Sequence, residues 1–594
     1  MSNNYCKDIF EFIEKQIVAY KLPIKINESW EWGMKEHLLL SELYTNGQLR
    51  NGKDDWTPVK NITLPILNLQ HRAEDIELKD VQLYIDAQEK FHLSMLVKKY
   101  HDDVFVKEND LDTYFDELNV SRIDFGAGLS KKLFQPRPEL VPLQSIVFCN
   151  QRDLLSAPFG IEHEYSPDQL MEMADNGWGK ESNGATHTVE QLITIWREQE
   201  KQEDTLKIYE VHGTIPARYA NIESGEYDYE TRIFIVSFVQ PKDKMEKTGV
   251  ILYTAEENIG DVFKLVKRDP IFGRAVGRGG AEELFEPQVW TTYDMIRKQK
   301  MLDAAAVTIL QSDDPTVRAK NPKGLKGTKN LEIIDVALNT NVRQIDTFPR
   351  NMRLLDKSIN DWEVHAQNLG GAQDPLMGKE PSAGTPFASV QAQIQQGMGL
   401  HDYRRGQFAK HIEEVYNDWI IPHIEKEITN GFDFLSELSL EEMNYCAENM
   451  AINAWNRYST DKILALGVFV EGEKEVFLSQ YKEDFKKGGN KRFLQALKKE
   501  FKDTKLGVKV SVAGKSKNLG QMTDKIVNIF RFAFSNPVGF SQVMQIPGMA
   551  KSFNTILEYS GMEPADFSGV DKMAISQPMT KQTPDTQVSQ EMVK

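Results

Sequence analysis

Phe272-Gly273-Arg274-Ala275-Val276-Gly277-Arg278-Gly279-Gly280-Ala281-Glu282-Glu283 is a glycine-rich turn that runs straight into acidic residues. Glu286 and Pro287 follow. Carboxylates and a proline suit the first turn of a helix, where N–H groups lack partners and the dipole favours negative charge. A helix is therefore expected over about 282–310, with Arg297, Lys298 and Lys300 further along it. The glycine spacing does not fit a GxGxxG phosphate cradle. Arg274 and Arg278 are expected to cap carboxylates or to touch a neighbour, and the turn to set the helix's angle of approach.

Working downstream, a polar insert from Ser312 to about Thr347 carries Pro315, Pro322, Gly324 and Gly327, with one expected strand at Leu331–Val336. Then Met352, Leu355, Ile359, Trp362 and Ala366 recur at spacings of three and four, an apolar helical stripe ended by Gly370-Gly371. A loop rich in Gly and Pro follows. Thr385 is an N-cap and Pro386 fits the next position of a very long helix. Phe387, Val390, Ile394, Phe408, Ile412, Val415 and Trp419 form its apolar stripe. Gly397, Gly399 and Gly406 weaken its middle, Pro422 is expected to kink it and Asn430-Gly431 to end it. At 1.5 Å per residue it would be roughly 55–65 Å long.

The order helix, insert, helix, Gly/Pro loop, long helix resembles the centre of bacteriophage portal proteins. The 272–283 stretch looks like the Gly-rich lead-in to the first stem helix of short-tailed-phage portals. Gly384-Thr385-Pro386-Phe387-Ala388-Ser389-Val390-Gln391 looks like the start of their long helix. Val141-Pro142-Leu143-Gln144-Ser145-Ile146-Val147-Phe148-Cys149 resembles portals of crAss-like phages. The resemblance covers about 140–430. It implies an α+β, predominantly helical subunit: a wing over 1–280, stem helix 1 over 281–311, a clip over 312–347 and stem helix 2 over 348–369. A tunnel loop would follow over 370–385, a long wing helix over 386–430, a crown-like helical region over 431–570 and a disordered tail over 571–594.

Working upstream, residues 8–20 and 77–101 read as helices, with further short helices at 169–174 and 188–201. Pro136, Pro138 and Pro142 make the segment 134–149 extended, with a strand at 143–148. Strands are expected at 208–212, 233–239 and 249–253, with 221–228 as a hairpin connection. After Gly431 the chain reads as charged helices interrupted by one strand, 508–512.

Composition bounds the function. The 594 residues exceed one core, and 40% hydrophobic with 27% charged is ordinary for a globular protein. A net charge of −17 is unlike a DNA-gripping domain and argues against anionic membranes. Cys6, Cys149 and Cys446 form no CxxC pair, so neither a disulfide scaffold nor a standard zinc site is expected. No stretch reaches the ~20 apolar residues of a membrane span, and the first twenty residues do not read as a signal peptide.

Candidate contact residues follow. Arg318, Lys320, Lys323, Lys326 and Lys329 make a basic insert, a surface for DNA or a protein partner. Gln373, Asp374, Met377 and Lys379 would face DNA from the tunnel loop, and Met352, Leu355, Ile359 and Trp362 would pack between subunits. Val512-Ala513-Gly514-Lys515-Ser516 is not a phosphate loop, because Lys509 stands where that motif needs glycine. No catalytic set, metal site or cofactor is expected. The resemblance implies a ring of twelve copies at one capsid vertex of the virion, assembled in the host cytoplasm. It implies sequence-independent passage of double-stranded DNA, and contacts with the major capsid protein, the terminase large subunit and head-tail adaptor or tail proteins. The alternatives are a terminase-type motor enzyme, which needs a complete phosphate loop and ATPase activity, and a minor capsid or scaffold protein without a channel.

Overall fold

The structure, a computed structural model, describes residues 2–46, 59–78, 81–85, 91–133, 137–156, 158–198, 204–220, 228–239, 248–306, 309–312, 342–345, 352–378, 387–430, 439–502 and 506–510, and residues 527, 528, 531 and 535. The fold is mixed α+β and predominantly helical. Two compact units divide it: residues 1–75 with 114–408, and residues 76–113 with 409–594.

In the first unit a five-stranded antiparallel sheet has the order Thr248–Glu256, Tyr229–Val239, Leu206–Pro216, Phe159–Tyr165, Ile146–Phe148. Ile233 and Ile235 join one buried cluster, and Phe234 and Val236 the other. Both faces of the sheet are thus covered. That is why the strand reads as an unbroken apolar run rather than an alternation. Ile9 and Ile13 of the helix Ser2–Tyr20 pack on one side. Val189, Leu192, Ile193 and Trp196 of the helix Val189–Arg197 pack on the other. Capping boxes at Ser166 and Thr188 start the two short helices. Residues 143–145 form a 3-10 turn, so the strand expected from 143 begins at Ile146. A second sheet, Phe263–Lys267, Ala127–Lys131 and Glu139–Val141, leads into the Gly-rich turn.

The expected first helix of the central region is split. A short turn, Gly280–Glu283, precedes the helix Phe285–Ala306. The strands Ile309–Ser312 and Val342–Ile345 pair antiparallel, joining Ser312 to Val342 across the root of the insert. The helix Met352–Leu369 follows, then the long helix Phe387–Val415, continued by a π-helical turn Tyr416–Ile420 and the helix Ile421–Asn430. The π turn sits just before Pro422, where a missing N–H and a bulky ring disturb the regular ladder.

In the second unit the expected helix over 77–101 is corrected. Val81–Ile85 is a strand, paired antiparallel with Leu506–Val510, and the helix begins at Phe91. Val81 and Leu83 are buried, so a two-residue period was masked by the helix that follows. His101 lies 2.8 Å from the Tyr416 hydroxyl, and Lys99 pairs with Glu442 at 2.6 Å. The helices Leu440–Leu464 and Glu473–Lys502 form a hairpin, the first of them started by a Ser439–Glu442 capping box. The strand expected at 331–336 and the tail 571–594 lie outside the described residues.

Candidate functional site

The Gly-rich turn is fastened to the backbone of the second sheet. Arg268 and Gly277 both donate their N–H to Gly126 O, at 2.9 and 3.1 Å. A Cβ on Gly277 would lie 1.8 Å from Arg268 O. The glycine is required by this close backbone approach, so the turn is tightly packed there. Arg274 donates two hydrogen bonds to Glu282, at 2.8 and 3.0 Å, and its guanidinium lies 4.5 Å from the Trp32 ring centroid. One of the two turn arginines thus caps a carboxylate.

Behind the turn lies a buried ionic hub. Glu74 is fully buried. It accepts from Arg122 Nη2 at 3.0 Å, and from Arg268 Nη2 and Nε at 2.9 and 3.2 Å. His401 Nδ1 lies 3.3 Å from Glu74 Oε1, and Arg404 Nη1 3.6 Å from it. Arg404 also binds Asp269 and, at 3.1 Å, Glu283. Burial alone would raise the Glu74 carboxyl, but Arg268 and Arg122 outweigh it and hold the group well below the usual carboxylate range. Burial pulls the Arg122 guanidinium down to about 10 despite Glu74. His401 Nε2 lies 3.3 Å from Gly371 O, so the hub reaches the base of the 370–378 loop.

The helices Phe285–Ala306 and Met352–Leu369 lie antiparallel. Trp290 stacks on Trp362 with centroids 6.2 Å apart, Ser358 donates to Asp294 at 2.6 Å, and Lys298 pairs with Asp356. Of the apolar stripe, Ile359 and Ala366 are buried, while Met352, Leu355 and Trp362 are half-buried. Leu354, 66% exposed, and Val364, 55%, stand on the opposite side of that helix. Val289, Trp290, Tyr293 and Leu302 are exposed on the other. In the loop, Gln373 is half-buried, Asp374 is exposed, and Met377 is half-buried against the cluster of Ile62, Ile66 and Leu284. Lys379 and the five basic residues Arg318, Lys320, Lys323, Lys326 and Lys329 lie outside the described residues.

A second charged network underlies the five-stranded sheet. Glu210 accepts from Lys131 at 2.9 Å, and His163 Nε2 and His212 Nε2 each lie 2.8 Å from its carboxylate. His212 Nδ1 lies 2.7 Å from Glu257. Burial alone would lower the His212 imidazole, but hydrogen bonds to Glu210 and Glu257 raise it. Burial pushes the Cys149 and Cys446 thiols up to about 12, so neither is a ready thiolate at neutral pH. Among the described residues no cluster of His, Cys, Asp or Glu is arranged to hold a metal ion, and no helix is long and apolar enough to cross a membrane.

No known family model and no curated protein matches the chain. Sequence reasoning missed both buried networks. Glu210 and His212 carried a legible signal, two titratable residues on one face of an apolar strand. Glu74 carried none, because its partners stand 48, 194 and 327 residues away in sequence.

Proposed function

We propose that this chain is one subunit of a bacteriophage portal, a ring of identical copies through which double-stranded DNA enters and leaves a viral head. The observation that carries this reading is the order of elements in the first unit. An anchored Gly-rich turn leads to a helix, then a two-stranded ribbon brackets an insert. A second helix stacks antiparallel on the first, and Gly370-Gly371 and a loop lead to the long helix.

Exposure supports the same reading. Trp290, Tyr293, Leu354 and Val364 spread apolar surface over two sides of one helical hairpin, which a single chain leaves in water. A rotational ring covers one side of each hairpin with the other side of its neighbour. The net charge of −17 would let phosphate slide past rather than adhere. The chain itself would perform no chemistry. An ATP-hydrolysing terminase would dock at the insert, 312–347, and adaptor proteins would later take its place. Native mass spectrometry with negative-stain imaging tests this. A closed ring of about a dozen copies with a central hole is expected. A monomer that hydrolyses ATP would overturn the reading in favour of a motor.

A further inference from the structure

A cavity of about 260 Å³ opens between the start of the helix Met34–Thr45 and the turn Gly280–Glu283 with Phe285 after it. All of its lining lies in the first unit. Leu40 and Phe285 give it apolar walls that remain exposed, and Trp32 and His37 are buried parts of the lining. Small-molecule sites run to ~300–1,000 Å³. This volume suits one or two side chains better than a cofactor.

The charge of the cavity is one-sided. Glu31, Glu36 and Glu282 line it, and none of the described lining residues is Lys or Arg. Arg274, from outside the lining, donates to both Glu282 oxygens, and Lys25 reaches Glu31 at 3.7 Å with both side chains exposed. Glu36, exposed in the first turn of its helix, has no basic partner among the described residues. Burial holds the His37 imidazole below its usual value against the pull of Glu282, so the ring is neutral at neutral pH and supplies no cation. A donor is unmet as well. Trp32 is only 7% exposed, and its indole N–H finds no acceptor among the described residues. A buried N–H in that condition calls for an oxygen.

We propose that the cavity binds an arginine side chain presented by a peptide segment of a partner protein. The guanidinium would meet Glu36 and the remaining lone pairs of Glu282 beside the Phe285 ring, and a peptide carbonyl would accept from the Trp32 indole. A free polyamine brings the charge without the oxygen. Phosphate and DNA are repelled by the carboxylates. The site is independent of the ring reading, because a single chain supplies its whole lining.

The test titrates the full chain with acetyl-leucyl-arginyl-leucinamide, followed by saturation-transfer difference NMR, which reads the peptide whatever the size of the particle. Saturable binding is expected, about fivefold or more tighter than that of the citrulline peptide, which keeps the shape and lacks the charge. Glu36→Gln, at an exposed position, should keep the melting temperature and weaken the arginine peptide about fivefold, the size of one exposed ion pair. Trp32→Phe should weaken the peptide yet leave agmatine, a guanidinium with no carbonyl, unchanged. No saturable binding, equal binding of the arginine and citrulline peptides, or unchanged binding to Glu36→Gln overturns the site. Agmatine bound as tightly as the peptide overturns the peptide partner in favour of a free cation. Native mass spectra of the same protein score the ring separately, so each reading can fail alone.

Discussion

Replacing Glu74 with alanine removes the anion at the centre of the buried hub. Arg404 then keeps Asp269 and Glu283, Arg268 keeps an ion pair with Glu283 at 3.7 Å, and Arg122 loses its carboxylate partner. Taking one partner from a buried ion pair costs ~3–5 kcal/mol, because the remaining charge has neither water nor counterion. Against a folding stability of ~5–15 kcal/mol that is a large fraction, and in a unit of this size it lowers the melting temperature by about 5 °C. Glu74→Gln keeps the shape and some hydrogen bonding, so it falls between alanine and wild type. Denaturant unfolding followed by tryptophan fluorescence gives the free energies. Amide exchange over 370–378 reports locally, because His401 bridges Glu74 and Gly371 O. A loss under ~1 kcal/mol for Glu74→Ala, with unchanged exchange in the loop, would show that the arginines are satisfied without this carboxylate.

Three further outcomes are expected. His212 has its folded pKa raised above 6.5, so its contribution is complete below that value and fades as pH rises through the raised one. Glu210 is held low, so its contribution is present above about 4.5 and lost on acidification. Thermal melts across pH should therefore show an alkaline limb no steeper than ~1.4 kcal/mol per pH unit, and His212→Gln should flatten it. Gly277→Ala places a methyl 1.8 Å from Arg268 O and should cost ~3 kcal/mol or more, whereas Gly273→Ala, at φ +81° in open space, should cost ~1 kcal/mol; soluble yield and melting temperature rank them. Leu354→Asp, at a site 66% exposed, should change the stability of the isolated chain by under ~0.5 kcal/mol yet lower ring yield in native mass spectra.

Local chemistry was readable in the sequence wherever neighbours in the chain decide the structure. The segments 169–174 and 188–201 read as short helices and fold as Pro167–Met173 and Val189–Arg197, and the run Ile233–Val236 read as a buried strand. Gly370-Gly371 ended its helix where expected. Reading failed where the deciding partner is distant. Val81–Ile85 is a strand only because Leu506–Val510 pairs with it, and the helix after it hid the shorter period. The π turn before Pro422 was expected only as a kink. The candidate site was half legible: the Gly-rich turn and helical hairpin stood out, whereas the hub of Glu74 is assembled from segments far apart in the chain, around residues 74, 122, 268 and 401–404, none of which carries a distinctive motif.

The ribbon of Ile309–Ser312 and Val342–Ile345 has a consequence for how such a chain can diversify. Ser312 and Val342 are paired across it, so the 29 residues between them depart and return side by side. A segment between those two residues leaves and rejoins the ribbon at one place. Lengthening such a segment adds closure entropy, and each doubling costs ~0.6 kcal/mol. The ribbon is a socket into which a segment of another length or charge can be exchanged, leaving the framework beneath to fold as before.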